Sequence, residues 1–153
     1  MENVAFVALS TRDEVISCLR ILLQPPLNTK TSQSGIQRFT LIDLSNEASA
    51  IEEQYKNIVL SQVNNSCLRM SVIEGEYPWH YHPHSDELFL VVEGSLSIEL
   101  ADGRVFKLGP RQSITIPADT VHRTSAATRT VNLCFEQVAA ETVFVDRPPA
   151  LRE

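Results

Sequence analysis

From about Asn57 to Glu136 the chain is a succession of short β-like runs, each closed by a turn signal. Ile58-Val59-Leu60-Ser61-Gln62-Val63 meets Asn64-Asn65, Cys67 to Glu74 meets Gly75, and Glu87 to Val92 meets Glu93-Gly94. Leu96 to Leu100 runs to Asp102-Gly103, the strongest hairpin signal in the chain. Arg104 to Leu108 ends at Gly109-Pro110 and Ser113 to Ile116 at Pro117; Val121 to Thr124 and Thr130 to Glu136 complete the series. Many short strands at even spacing imply an all-β sandwich or barrel.

The residues before this region read differently. Ser10 or Thr11 caps a predicted helix over 11–24, whose apolar stripe is Val15, Ile16, Leu19, Leu22 and Leu23. Pro25-Pro26 ends it. The stripe is a packing face against the domain or a second subunit. Residues 27–38 are polar, contain Gly35 and read as a linker. Phe39-Thr40-Leu41-Ile42 reads as a short strand, and 45–55 as a short helix with Ala48, Ile51 and Tyr55 on one side. The expected organisation is an accessory segment over 1–56, a barrel over 57–145 and an extended tail over 146–153 containing Pro148-Pro149. A chain of 153 residues is long enough to bury one core without staples.

Composition removes several functional classes. A formal charge of −6 with no basic tract argues against nucleic acid as a partner. No apolar run approaches a membrane span, and Glu2 stands where a signal peptide would carry positive charge, so a cytoplasmic location is expected. Cys18, Cys67 and Cys134 are odd in number and far apart, which reads as free thiols.

All four histidines lie in two segments, Pro78-Trp79-His80-Tyr81-His82-Pro83-His84-Ser85-Asp86-Glu87 and Pro117-Ala118-Asp119-Thr120-Val121-His122. Residues two apart on a strand point the same way, so His80 and His82 share one face and Trp79 and Tyr81 the other. Glu87 and His122 can complete a cluster. Three imidazoles and one carboxylate suit iron(II), manganese, nickel, cobalt or zinc and leave positions open on an octahedral ion.

These residues carry a family resemblance. Gly75-(x)4-His80-x-His82-(x)4-Glu87-(x)6-Gly94 resembles the first motif of the cupins, and Pro117-x-Asp119-x-x-His122 resembles part of the second. Pro-Trp-His-x-His followed by Asp-Glu-Leu-Phe-x-Val-x-Glu-Gly is similar to the phrase typical of small single-domain cupins of the cupin-2 type. The resemblance covers roughly residues 57–138. It implies a double-stranded β-helix (jelly-roll) barrel with metal ligands at His80, His82, Glu87 and His122. Three departures stand out: one residue fewer between Gly75 and His80, Arg111-Gln112 in place of Gly-Asp, and Asp119 in place of a glycine. Ala126 also stands where many members have Asn. Aspartate tolerates the left-handed backbone that a turn glycine supplies better than most residues do.

Rival ligands are weaker. His84 would join His80 and His82 only if the strand continued through Pro83, which proline disfavours. Asp86 has the opposite strand phase to Glu87. Trp79 and Tyr81 are expected to face away from the metal. Arg69 shares phase with Cys67, Ser71 and Ile73; whether that set faces the barrel or solvent is open, and facing inward it could hold an anionic substrate. Cys134 is likewise open between the cavity and the outer layer.

The resemblance implies a metal-binding protein and does not choose a reaction, because one fold hosts many activities. The first reading is a divalent-metal-dependent enzyme on a small organic substrate, isomerase-like or dioxygenase-like. The alternative is a non-catalytic small-ligand-binding or sensory module. A homodimer is the expected assembly.

Overall fold

The computed structural model describes residues 39–146. The predicted helix over 11–24, the linker over 27–38 and the tail beyond Asp146 lie outside the described residues. Among the described residues no helix is long and apolar enough to cross a membrane.

Helix α1 spans Leu44–Ser49. Asp43 starts it by accepting hydrogen bonds from the Ser45 and Asn46 amides at 2.9 and 3.1 Å. The helix is shorter than the 45–55 expectation, and Tyr55 belongs to the first strand instead. Ala48 and Ile51 are nevertheless buried, against Met70, Val72 and Val131. Arg129 donates to the carbonyl of Ala48 at 2.7 Å and so fastens the end of the helix. The expected strand over Phe39 to Ile42 does not form. Phe39 has φ 62° and, like Leu41, is fully exposed, so β propensity there finds no partner strand.

Among the described residues nine strands follow: β1 Tyr55–Val63, β2 Ser66–Glu76, β3 His80–Tyr81, β4 Glu87–Glu93, β5 Leu96–Leu100, β6 Val105–Leu108, β7 Ser113–Ile116, β8 His122–Gln137 and β9 Val143–Phe144. The pairings are antiparallel, with main order β1-β2-β8-β3-β9; β4 adds to β8 and β7, and β5 to β8 and β6. The sheet curls into the all-β double-stranded β-helix. Asn64, at φ 55°, turns β1 into β2 with Val63 opposite Ser66. Gly103, at φ 88°, turns β5 into β6 as its N–H donates to the Leu100 carbonyl at 3.0 Å.

Strand β8 organises the barrel. Its first residues pair with β5, from Leu100 opposite His122 to Ser97 opposite Ser125; its later residues lie between β2 and β4. Register shifts between Ile73 and Gly75 and between Val91 and Glu93 let β8 turn the corner. The sequence reads this element as two strands, 121–124 and 130–136, because Ala127, Thr128 and Arg129 at the corner are exposed and break the alternation. The sheet has an inner face, with Ile73, Phe89, Val91, Leu96, Ile98 and Cys134, and an outer face on which α1 packs.

Candidate metal centre

His80 opens β3, His82 follows it, Glu87 opens β4 and His122 opens β8. The ladder itself brings the two motifs together, since His80 is paired with His122. All four side chains are buried, and one ligand atom from each lies within 4.8 Å of the others. The His80 and His122 ring centroids are 4.4 Å apart, and those of His80 and His82 5.1 Å.

Backbone carbonyls orient the three imidazoles. His80 Nδ1 lies 2.8 Å from the Pro78 carbonyl, His82 Nδ1 2.9 Å from that of Glu141, and His122 Nδ1 2.9 Å from that of Thr120. A carbonyl oxygen only accepts, so each Nδ1 carries the proton and each Nε2 presents a lone pair. Glu87 Oε2 is 3.1 Å from His82 Nε2 and 3.5 Å from His122 Nε2. None of these three atoms has a hydrogen-bond partner among the described residues, and all are buried. Lone pairs facing one another in a dry interior are costly unless a proton or a cation lies between them. The donor set of three nitrogens and one carboxylate oxygen therefore fits a divalent transition metal, with the carbonyls fixing the tautomers as supporting groups do in metal sites.

The charges follow from the same geometry. With no cation present and a proton shared between these atoms, burial works against the Glu87 carboxylate, but the His122 and His82 imidazoles beside it hold it down to about 2. Burial, aided by His122, pulls His80 down to about 4. Burial also opposes charge on His82, yet the Glu87 carboxylate outweighs it and raises that imidazole.

The two rival ligands stand outside the cluster. His84 is exposed at φ 66°. Asp86 is exposed and accepts a hydrogen bond from the Ala118 amide at 2.8 Å, which ties the turn before His122 to the first motif. Asp119 takes the left-handed backbone at φ 60°, and its N–H donates to the His82 carbonyl at 3.0 Å. Arg111 does the same at φ 69°. Both substitutions for glycine thus keep the glycine conformation, at a backbone cost of about 1 kcal/mol or more each. Trp79 is buried away from the centre under Arg123, whose guanidinium carbon is 5.1 Å from the ring centroid and which also binds Glu99 and Glu76.

The inner-face question is resolved by Ile73 and Cys134, which join the inner cluster and carry Arg69 and Ser71 with them. Cys134 is buried, and burial, then Glu87, raises its thiol. An aromatic lip borders His80. Tyr77 meets it edge-on at 4.9 Å, Tyr55 stacks on Tyr77 at 4.9 Å, and the Phe144 centroid is 6.2 Å away. One residue that sequence reasoning did not single out is Glu136, whose carboxylate is buried beside Arg69 at 2.6 Å. Its only sequence signal was a strand phase shared with Cys134.

The conserved pattern described as Cupin domain matches residues 69–135. The uncharacterized protein YdbB of Bacillus subtilis (strain 168) is 47% identical over 102 residues, covering 67% of this chain and 90% of that protein. A cupin-2 domain containing protein from Shewanella frigidimarina NCIMB 400 superposes with a TM-score of 0.60 at 26% identity, over 63% of this chain and 94% of that one. The DMSP lyase DddQ from Ruegeria pomeroyi DSS-3 shares the fold, with a TM-score of 0.55 at 16% identity over 66% of this chain and 56% of that one.

Proposed function

Because this chain belongs to the cupin family, we propose that it is a divalent-metal-dependent enzyme acting on a small organic substrate, with His80, His82, Glu87 and His122 as ligands. The observation that carries this reading is the convergence on one point of buried His82 Nε2, His122 Nε2 and Glu87 Oε2, partnerless among the described residues, with His80 beside them. A bound divalent ion supplies Lewis acidity toward a substrate oxygen. The chain's own part is positional. Carbonyls of Pro78, Glu141 and Thr120 hold the rings in one tautomer, and Tyr77, Tyr55 and Phe144 form an aromatic lip beside His80. Glu87 balances one unit of positive charge.

Metal analysis of freshly purified protein, handled with and without air, tests the reading. About one equivalent of a divalent transition metal is expected. His122→Ala should weaken binding by more than about a hundredfold, beyond the loss caused by changing a ligand's supporting hydrogen bond. Protein that holds only traces and gains none on soaking would refute the metal centre. A metal-loaded protein that binds a small ligand and never alters it would favour the ligand-binding alternative.

A further inference from the structure

Glu136 stands next to Glu87. Leu88 pairs with Phe135, so the rung beyond sets Glu87 opposite Glu136, both buried on the inner side. Directly opposed side chains sit about 5 Å apart at Cβ. Two carboxylates so placed need separate counter-charges. Glu87 faces the imidazoles, and Glu136 has Arg69, whose Nε is 2.6 Å from Oε1.

That ion pair leaves two atoms unused. Among the described residues Glu136 Oε2 is buried with no hydrogen-bond partner, and the Arg69 Nε–H, although close to Oε1, is not aligned to bond it. A bare acceptor and a bare donor therefore lie side by side. Asn57 extends the same wall, its Nδ2 donating to Ser71 Oγ at 2.9 Å while its Oδ1 sits 3.5 Å from Arg69 Nη1. Buried groups left in this state point to something that completes them.

Charge decides what that is. Arg69 and Glu136 cancel, so the wall is neutral, and a carboxylate brought to Oε2 would meet repulsion from Glu136 with Glu87 close behind. That argues against the anion-binding role that the guanidinium alone suggests. We propose that Arg69 and Glu136 form a recognition subsite beside the metal centre for an uncharged substrate group that both donates and accepts a hydrogen bond, a hydroxyl or a primary amide. The subsite rests on the metal-centre reading and names the substrate class for it.

The test uses cobalt(II)-loaded protein and two ligands of one shape, glycolamide and glycolate, with affinities read from the cobalt visible bands. The metal attracts both, so the informative quantity is the ratio of glycolate to glycolamide affinity. Glu136→Gln leaves Arg69 without its counter-charge and should raise that ratio by about tenfold or more. The double variant Arg69→Met with Glu136→Met restores neutrality; it should return the ratio to the wild-type value while both ligands bind more weakly. An unchanged ratio in folded Glu136→Gln rejects the subsite, as does a double variant whose ratio stays raised. A pair that acts only through its charge and touches no ligand would raise the ratio in Glu136→Gln but leave glycolamide affinity in the double variant at the wild-type value, an outcome that also rejects the subsite. Cobalt bands that never develop before any ligand is added would instead reject the metal centre, and the subsite with it.

Discussion

His80 and Glu87 set how the metal-free protein responds to acid. His80 is held at about 4 when folded, against about 6.5 for a free imidazole. Between those values the unfolded chain binds more protons than the folded one. The stabilisation is therefore complete above about pH 6.5 and lost as pH falls toward 4, on the order of 3 kcal/mol in all. Glu87, depressed to about 2, adds a second loss between about pH 4.5 and 2. His82 has the opposite sign, since its raised pKa gives stability present in acid and lost as pH rises through the folded value. The groups titrate as a set. Melting of metal-free protein followed from pH 7 to 4 should show a steep decline that His80→Gln flattens; parallel curves for the two proteins would contradict the assignment. The four clustered side chains were legible in the sequence, because H-x-H sets a strand face and the motif spacings set the rest. Glu136 was not, since a glutamate at one of two strand phases looks the same whether it faces solvent or a barrel interior.

At the scale of elements, the close approach of β8 to the β4–β5 turn imposes the strictest local requirement. Gly94 has φ 82°, and a Cβ there would overlap Thr130 Oγ1 and come within 2.9 Å of the Arg129 carbonyl. Thr130 cannot swing away freely, because its hydroxyl has the Thr128 and Ser95 carbonyls at 2.9 and 3.2 Å to receive its one proton and accepts from the Ser95 amide at 3.1 Å. Gly94→Ala should cost more than about 2 kcal/mol, measured by denaturant unfolding. A loss under half that size would mean the corner yields easily. The hairpins at Asn64-Asn65 and Asp102-Gly103 were readable because turn chemistry is local. Strand β9 was not, as two residues carry no periodicity and Val143–Phe144 is extended only because His80 and Tyr81 pair with it. Helix α1 was misjudged in length for a similar reason. The apolar spacing of Ala48, Ile51 and Tyr55 suits a helix, yet pairing of Tyr55 with Ile73 claims that residue for the sheet.

At the scale of the whole molecule, the strand order among the described residues leaves β1 at an edge, with Val59 and Val63 exposed along it. Open edges are normally covered or blunted, and two-fold dimers are the commonest assembly. We expect a homodimer by light scattering; a monomer at micromolar concentration would contradict this. The barrel class was legible from the even punctuation of short strands, whereas the long β8 that ties them emerges only from pairing. The carbonyl of Glu141 adds one more consequence. It fixes the imidazole of His82 from 59 residues away, after every strand but β9 has been laid down. On the metal-centre reading, a chain trimmed short of Glu141 would keep all four ligands and lose the carbonyl that orients one of them, so its grip on a divalent ion should loosen.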